Sequence, residues 1–286
     1  NCFQTVNNIS IHENGKDLIF VSGTPGSRWS ATIRSLSYNS NVNMSDEFYA
    51  SEDAFSVVLT KDGSDKKHAW HRGAYWGPYH KQGHKFDKMN EMSKEEILQE
   101  ILKPFDNGPG VKVIKSHWFA YHLDFIAKTF PQARIMGVYL PDDICFDWWK
   151  LVGGWDITYP IYTWYENDQR MQEQIKQENS HLVRFFSEKA IQLKRYFSVF
   201  DLYHDLSLPS TFKNDVDIGI FDEFDKDIVI GDEKFEKITN KRTSKVMLGI
   251  YNPSKHTINN VYEEALTTNP KGFDYDPRSY KNVTRK

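Results

Sequence analysis

The sequence predicts an α/β fold with a parallel central sheet and helices on both faces, followed by an irregular C-terminal extension. Three observations predict it. Continuous apolar runs, "LIFVSG" at 18–23 and "ARIMGVYL" at 133–140, suit buried strands of a sheet, and "VKVIKSH" at 111–117 reads as a further strand. Segments of helical spacing separate them. The order strand, helix, strand, helix then calls for right-handed crossovers, which cover a parallel sheet on both sides. A length of 286 residues favours one domain with elaborations. The expected division is an α/β domain over residues 1–205 and an extension over 206–286 packed on the same domain.

The first strand runs from Asp17 to Gly23, and a helix follows from Trp29 to Leu36. Residues 38–56, rich in Asn and Ser, read as a surface excursion. "FSVVLT" at 55–60 reads as a short strand and "KDGSDKK" behind it as a turn with solvated charges. Ser93 and Glu96 carry the capping-box signature of a helix that Pro104 closes. "WFAYHLDFIAKTF" at 118–130 has the spacing of one amphipathic helix. Pro141 followed by Asp142 and Asp143 opens another, with Pro in the first turn and two acids against the positive end of the dipole. From Asn167 to Phe197 the spacing of Met171, Ile175, Leu182, Phe186, Leu193 and Phe197 predicts one long packing helix. Beyond Leu206 the chain turns acidic, and "DIVIGD" at 227–232 suits a hairpin.

Composition bounds the function. A net charge of −3 without a polybasic block gives no general attraction to nucleic acid or to an anionic membrane, so any anion site must be local. No apolar run reaches the roughly 18 to 20 residues of a membrane span. Cys2 and Cys145, far apart in sequence, argue against a disulfide framework and for a reducing, cytoplasmic setting. No signal-peptide pattern opens the sequence. The chain contains eight Trp among 15% aromatics, enough to line a pocket that grips a ring or a sugar.

The stretch "SGTPGSRWS", residues 22–30, joins the first strand to its helix. Such a turn aims backbone N–H groups at one spot, where the helix dipole adds positive potential, so an anion can bind without a basic side chain. Gly23 and Gly26 allow close approach, and Ser27 and Ser30 offer hydroxyls. Against the phosphate-loop pattern G-x-x-x-x-G-K-[ST], Gly23 and Ser30 fit the ends. Arg28 replaces the second Gly and Trp29 the Lys that would reach a transferring phosphate, which argues against an ordinary ATPase or kinase.

The loop resembles the phosphosulfate-binding loop of the sulfotransferase family, a strand followed by P-[KR]-S-G-T and a helix. Pro25 and Ser27 match, Gly26 stands at the basic position, and Arg28 stands at the Gly. "KVIKSHW" at 112–118 is similar to the family's strand ending in K-[ST]-H. "GVYLPDDICFDWW" at 137–149 is similar to its R-x-P-x-D-x-x-x-S segment. Pro141 and Asp143 are in register there, with Tyr139 at the Arg position and Asp147 at the Ser position.

The resemblance implies a P-loop nucleotide-hydrolase-like, sulfotransferase-like fold and transfer of a sulfuryl group from 3′-phosphoadenosine 5′-phosphosulfate, as co-substrate, to a hydroxyl or amine. No metal is needed. It also implies a donor site at Thr24, Pro25, Gly26, Ser27, Arg28, Trp29 and Ser30, His117 as general base, and Lys115 offsetting negative charge. Tyr139 and Asp147 would face the donor's 3′-phosphate. Asp147 repels it, so Arg28, Lys150 or Arg34 holds that phosphate, or the donor lacks it.

Residues 68–86 are rich in Gly, His and aromatics and read as a loop lining the pocket of a small-molecule or carbohydrate acceptor. Trp70, Tyr75, Trp76 and Tyr79 would stack on a ring, and His71, His80 and Arg72 would supply hydrogen bonds. The spacing of His68, His71, His80 and His84 also invites a metal, but the segment has neither cysteines nor a defined helix to fix ligands. Two rival readings remain, a P-loop kinase-like nucleotide enzyme and a non-catalytic binding protein of the same fold. Nothing in the sequence fixes the oligomeric state.

Overall fold

A computed structural model describes residues 12, 14–46, 55–59, 65–69, 73–77, 82–151, 167–211 and 246–255. The chain divides into compact units Asn1–Lys255 and His256–Lys286, and all described residues belong to the first.

Among the described residues, four strands form an open, mostly parallel sheet. They are β1 (Leu18–Gly23), β4 (Lys112–Lys115), β5 (Arg134–Tyr139) and β6 (Met247–Tyr251), in the order β4-β1-β5-β6. β1 runs parallel to both of its neighbours, and β6 is antiparallel to β5. A separate antiparallel hairpin pairs β2 (Phe55–Leu59) with β3 (Asp65–Ala69), so Asp65, Lys66 and Lys67 continue a strand where a turn was expected.

β1 is buried throughout because both faces of the sheet are covered. Leu18 and Phe20 enter one core together with Ile97, Phe119, Ile126 and Phe185. Ile19 and Val21 enter the other with Trp29, Ile33, Trp149 and Leu202. The helices behind these side chains are α1 (Trp29–Ser37), α2 (Lys94–Leu102), α3 (Leu123–Thr129), α4 (Asp142–Leu151), α5 (Asp168–Glu188) and α6 (Val199–Asp205). Ser93 accepts from the Glu96 N–H at 3.2 Å, and the Glu96 carboxylate accepts from the Ser93 N–H at 2.7 Å, so the capping box of α2 forms as its sequence predicts.

Several elements depart from expectation. The 118–130 helix is a 3₁₀ turn, His117–Tyr121, and then α3, because His122 leaves helical geometry at φ −126°. The long helix stops at Glu188. Ala190 adopts φ 53°, and the Ile191 N–H donates to the Phe186 carbonyl at 2.8 Å, a left-handed C-terminal cap. Leu193 packs partly against the core, whereas Phe197 is 77% exposed. Residues 39–43 are tied in rather than looped out: Val42 bridges Val111, Asn39 donates to the Pro209 carbonyl at 2.6 Å, and Asn43 donates to Asp106 at 3.0 Å. The "DIVIGD" stretch lies outside the described residues.

β6 lies within the stretch read as an extension, yet it completes the central sheet. Its Gly249 stands in register with Gly137 of β5, and the Phe186 ring of α5 lies where a Cβ on either glycine would project. No described helix is long and apolar enough to cross a membrane.

Candidate functional site

β4 lies on one side of β1 and β5 on the other, so the chain crosses β1 between them and the connection order reverses there. In open parallel sheets that switch point, at the carboxyl ends of the strands, is where ligands bind. The register places the three sequence motifs at this edge. Val21 is level with Lys115, and Gly23 is level with Val138, one residue before Tyr139.

The loop from Thr24 to Arg28 turns tightly. Ser27 N–H donates to the Thr24 carbonyl at 3.0 Å, and Gly26 takes φ 81°, where a Cβ would collide with the Cys145 carbonyl of α4. Thr24 Oγ1 lies 3.3 Å from Cys145 Sγ. Arg28, the residue before α1, is also left-handed, at φ 70°, a conformation that favours glycine. No side chain caps α1, and its first turn holds no acid. The Ser22 and Ser27 hydroxyls are buried, at 1% and 0% exposure, without a hydrogen-bond partner among the described residues. The described geometry therefore offers a helix start, an orphaned hydroxyl and a buried Arg28 in one short loop.

His117 meets this loop. Its Nδ1 lies 2.6 Å from the Gly23 carbonyl oxygen, which can only accept, so Nδ1 carries a proton, and in the neutral ring the lone pair falls to Nε2. The imidazole lies 4.3 Å from the Trp29 ring and 5.8 Å from that of Tyr75. Lys115, two residues earlier, is buried, and its carbonyl accepts from the Trp76 N–H at 3.2 Å. Trp29, at the Lys position of a phosphate loop, thus packs on the candidate base rather than reaching outward.

No family model, curated protein or solved structure matches the chain.

Of the remaining expected residues that are described, Tyr75 joins this contact and Trp76 does not. Trp76 is fully buried, donates its indole N–H to the Glu100 carbonyl at 3.0 Å and stacks on Phe105. It is a core anchor and not a wall for an acceptor. Tyr75 is half-buried against Trp29 and His117. Trp70, His71, Arg72, Tyr79 and His80 lie outside the described residues, and His84 is exposed. The backbone of Ser30 lies in the first turn of α1. Tyr139 is half-buried; burial, and then Asp142, Cys145 and Asp143, push its phenol up, so it stays neutral. Asp147 is exposed on α4, and Lys150 pairs with Asp168 at 3.0 Å. Among the described residues no group of three His, Cys, Asp or Glu side chains could hold a metal.

Sequence reasoning missed Glu178. It is 1% exposed, with Oε2 3.7 Å from His117 Nδ1 and Oε1 accepting from Gln174 at 3.1 Å. A signal existed. The apolar stripe Met171, Ile175, Leu182, Phe186 skips one turn, and the polar pair Glu178–Asn179 fills that inward slot.

Proposed function

We propose that the chain is a sulfotransferase-like enzyme of the P-loop-like α/β type. It moves a sulfuryl group from a nucleotide phosphosulfate to a hydroxyl or amine of a small-molecule or carbohydrate acceptor. The observation that carries the reading is the 2.6 Å contact between His117 Nδ1 and the Gly23 carbonyl, which joins the K-S-H segment to the phosphosulfate-type loop.

The loop suits the anionic end of such a donor. Ser27 supplies a buried hydroxyl with no partner among the described residues, and the start of α1 is uncapped and free of acids. Arg28 strengthens the case, because a bulky residue in left-handed geometry costs about 1–2 kcal/mol, which a role for its charge at this loop would explain. The other end of the donor is a poorer fit. Where the family grips a 3′-phosphate, this chain presents the neutral phenol of Tyr139 and the carboxylate of Asp147.

In the proposed reaction the acceptor atom bonds to sulfur, and the bond from sulfur to the phosphate oxygen breaks with its electron pair going to that oxygen. His117 Nε2 takes the acceptor's proton, and the Nδ1–H bond to Gly23 keeps the ring in the tautomer that allows it. Lys115 offsets negative charge beside it. The Trp29 and Tyr75 rings flank the imidazole and keep bulk water from it.

Calorimetric titration with 3′-phosphoadenosine 5′-phosphate tests the reading. Binding is expected, weakened at least about tenfold in Arg28→Ala, in line with a lost charge-assisted contact. His117→Ala should bind equally well but lose transfer by about 10²-fold or more. Tight binding of ATP with magnesium alone would point to the kinase-like rival. A chain that binds none of these nucleotides leaves the non-catalytic binding protein.

A further inference from the structure

The acid that faces His117 has no place in the loop-and-base scheme. α5 packs across the 3₁₀ turn that begins at His117, and its inward stripe is apolar except at Glu178 and Asn179. Asn179 has a structural use: its amide donates to the Leu140 carbonyl at 2.8 Å and to Asp142 at 2.6 Å, fastening the end of β5 to α5. Glu178, one residue earlier, is 1% exposed. Its Oε1 accepts from Gln174, one turn earlier on the same helix, and its Oε2 lies at ion-pair distance from the imidazole. A carboxylate kept this dry is unfavourable unless a positive charge faces it.

Among the described residues, the titratable and charged groups around His117 come from four elements. Glu178 faces it from α5 and Tyr75 from residues 73–77, Lys115 precedes it on β4, and Arg28 adjoins Trp29 in the loop. Lys115 and Arg28 oppose a second positive charge. Of these groups, Glu178 is the one that favours it.

We infer that Glu178 is the positioning residue of His117: its carboxylate holds the imidazole with the proton on Nδ1 and stabilises the imidazolium that forms when Nε2 takes a proton. The inference rests on the reading of His117 as general base, and it is tested separately from that reading. The Gly23 carbonyl fixes the ring from one side as a neutral acceptor, and Glu178 adds the charge that makes the protonated ring stable. The pair turns a buried histidine into a stronger base without exposing it.

The test is nuclear magnetic resonance of the full chain labelled with 15N-histidine, with the His117 signals assigned among the ten histidines by their loss in His117→Gln. Glu178→Gln keeps the acceptor for Gln174 and removes only the charge. It should lower the His117 titration midpoint by about one to three pH units, whereas Glu178→Asp should lower it less. An unchanged midpoint in Glu178→Gln overturns the inference. So does a wild-type chain whose neutral imidazole carries its proton on Nε2, a readout that needs no variant to fold. In a transfer assay, the acid limb of kcat should move to lower pH with the midpoint, and kcat should fall by about 10²-fold while the KM for the donor stays nearly constant. A lowered midpoint in a chain that transfers no sulfuryl group keeps the pair and removes the transferase reading.

Discussion

Ala190 shows how much a single dihedral angle can settle. Its φ of 53° ends α5 and sends the chain back toward β6, where Lys194 bridges Leu248. Alanine has no intrinsic preference for that region; glycine does, and it is the usual residue at this position of a left-handed cap. Ala190→Gly should therefore raise stability by about 0.5–1 kcal/mol, the strain relieved being partly offset by the extra freedom of glycine in the unfolded chain. A urea midpoint that rises without a change in slope confirms it, and a midpoint that falls shows that the methyl group packs usefully. The same angle explains why the sequence suggested a helix through Phe197. The apolar repeat continues at Leu193 and Phe197, and no Gly or Pro marks the stop.

Among the elements, α5 and the β5–β6 pair form the joint that sequence patterning reveals least. Gly137 and Gly249 sit side by side on adjacent strands, and together they make the shallow place into which the Phe186 ring packs. A methyl group on Gly249 would stand 2.7 Å from that ring. Gly249→Ala should cost about 1–3 kcal/mol through overpacking, read as a lower urea midpoint. Combining it with Phe186→Leu should recover part of the loss, because the smaller side chain leaves room. No recovery would mean that the strand, rather than the ring, resists the methyl group. This contact is non-local, and nothing in "MLGIY" distinguishes a central strand partner from any other short apolar run. β1, β4, β5, α1 and α2 were legible because their burial or caps are written in neighbouring residues: double-sided apolar runs, Ser93 with Glu96, a turn leading into a helix. At the site, the same locality made the loop and His117 legible as candidates. Glu178 was not, since its significance arises only when α5 folds across the turn at His117.

For the whole molecule, the described groups that resist protonation in the fold lower stability in acid. His181, on α5 beside the Tyr121 ring, is the clearest. Burial, and then the charges of Arg184 and His122, lower it from 6.5 to about 4. His122 is lowered in the same direction, chiefly by burial. Below pH 6.5 the unfolded chain binds a proton that the folded chain refuses until about pH 4, so this stability is complete above 6.5 and is lost as the pH falls toward 4. The carboxylates act lower down. Asp205 is held at about 2 despite its burial, because Lys194 and Tyr196 hydrogen-bond to it, and its contribution begins to fade only below its unfolded value of 3.8. Among the described groups with a lowered or raised value, the histidines thus act almost alone between pH 7 and 5. His181→Gln should flatten the fall in unfolding free energy over that interval by about 1–2 kcal/mol once the partial exposure of His181 is discounted, and leave the decline below pH 4 in place. Urea titrations of both chains at pH 7, 6 and 5 measure it. Parallel lines for the two chains would show that His181 titrates as it does in the unfolded state, and that another group sets the acid limit.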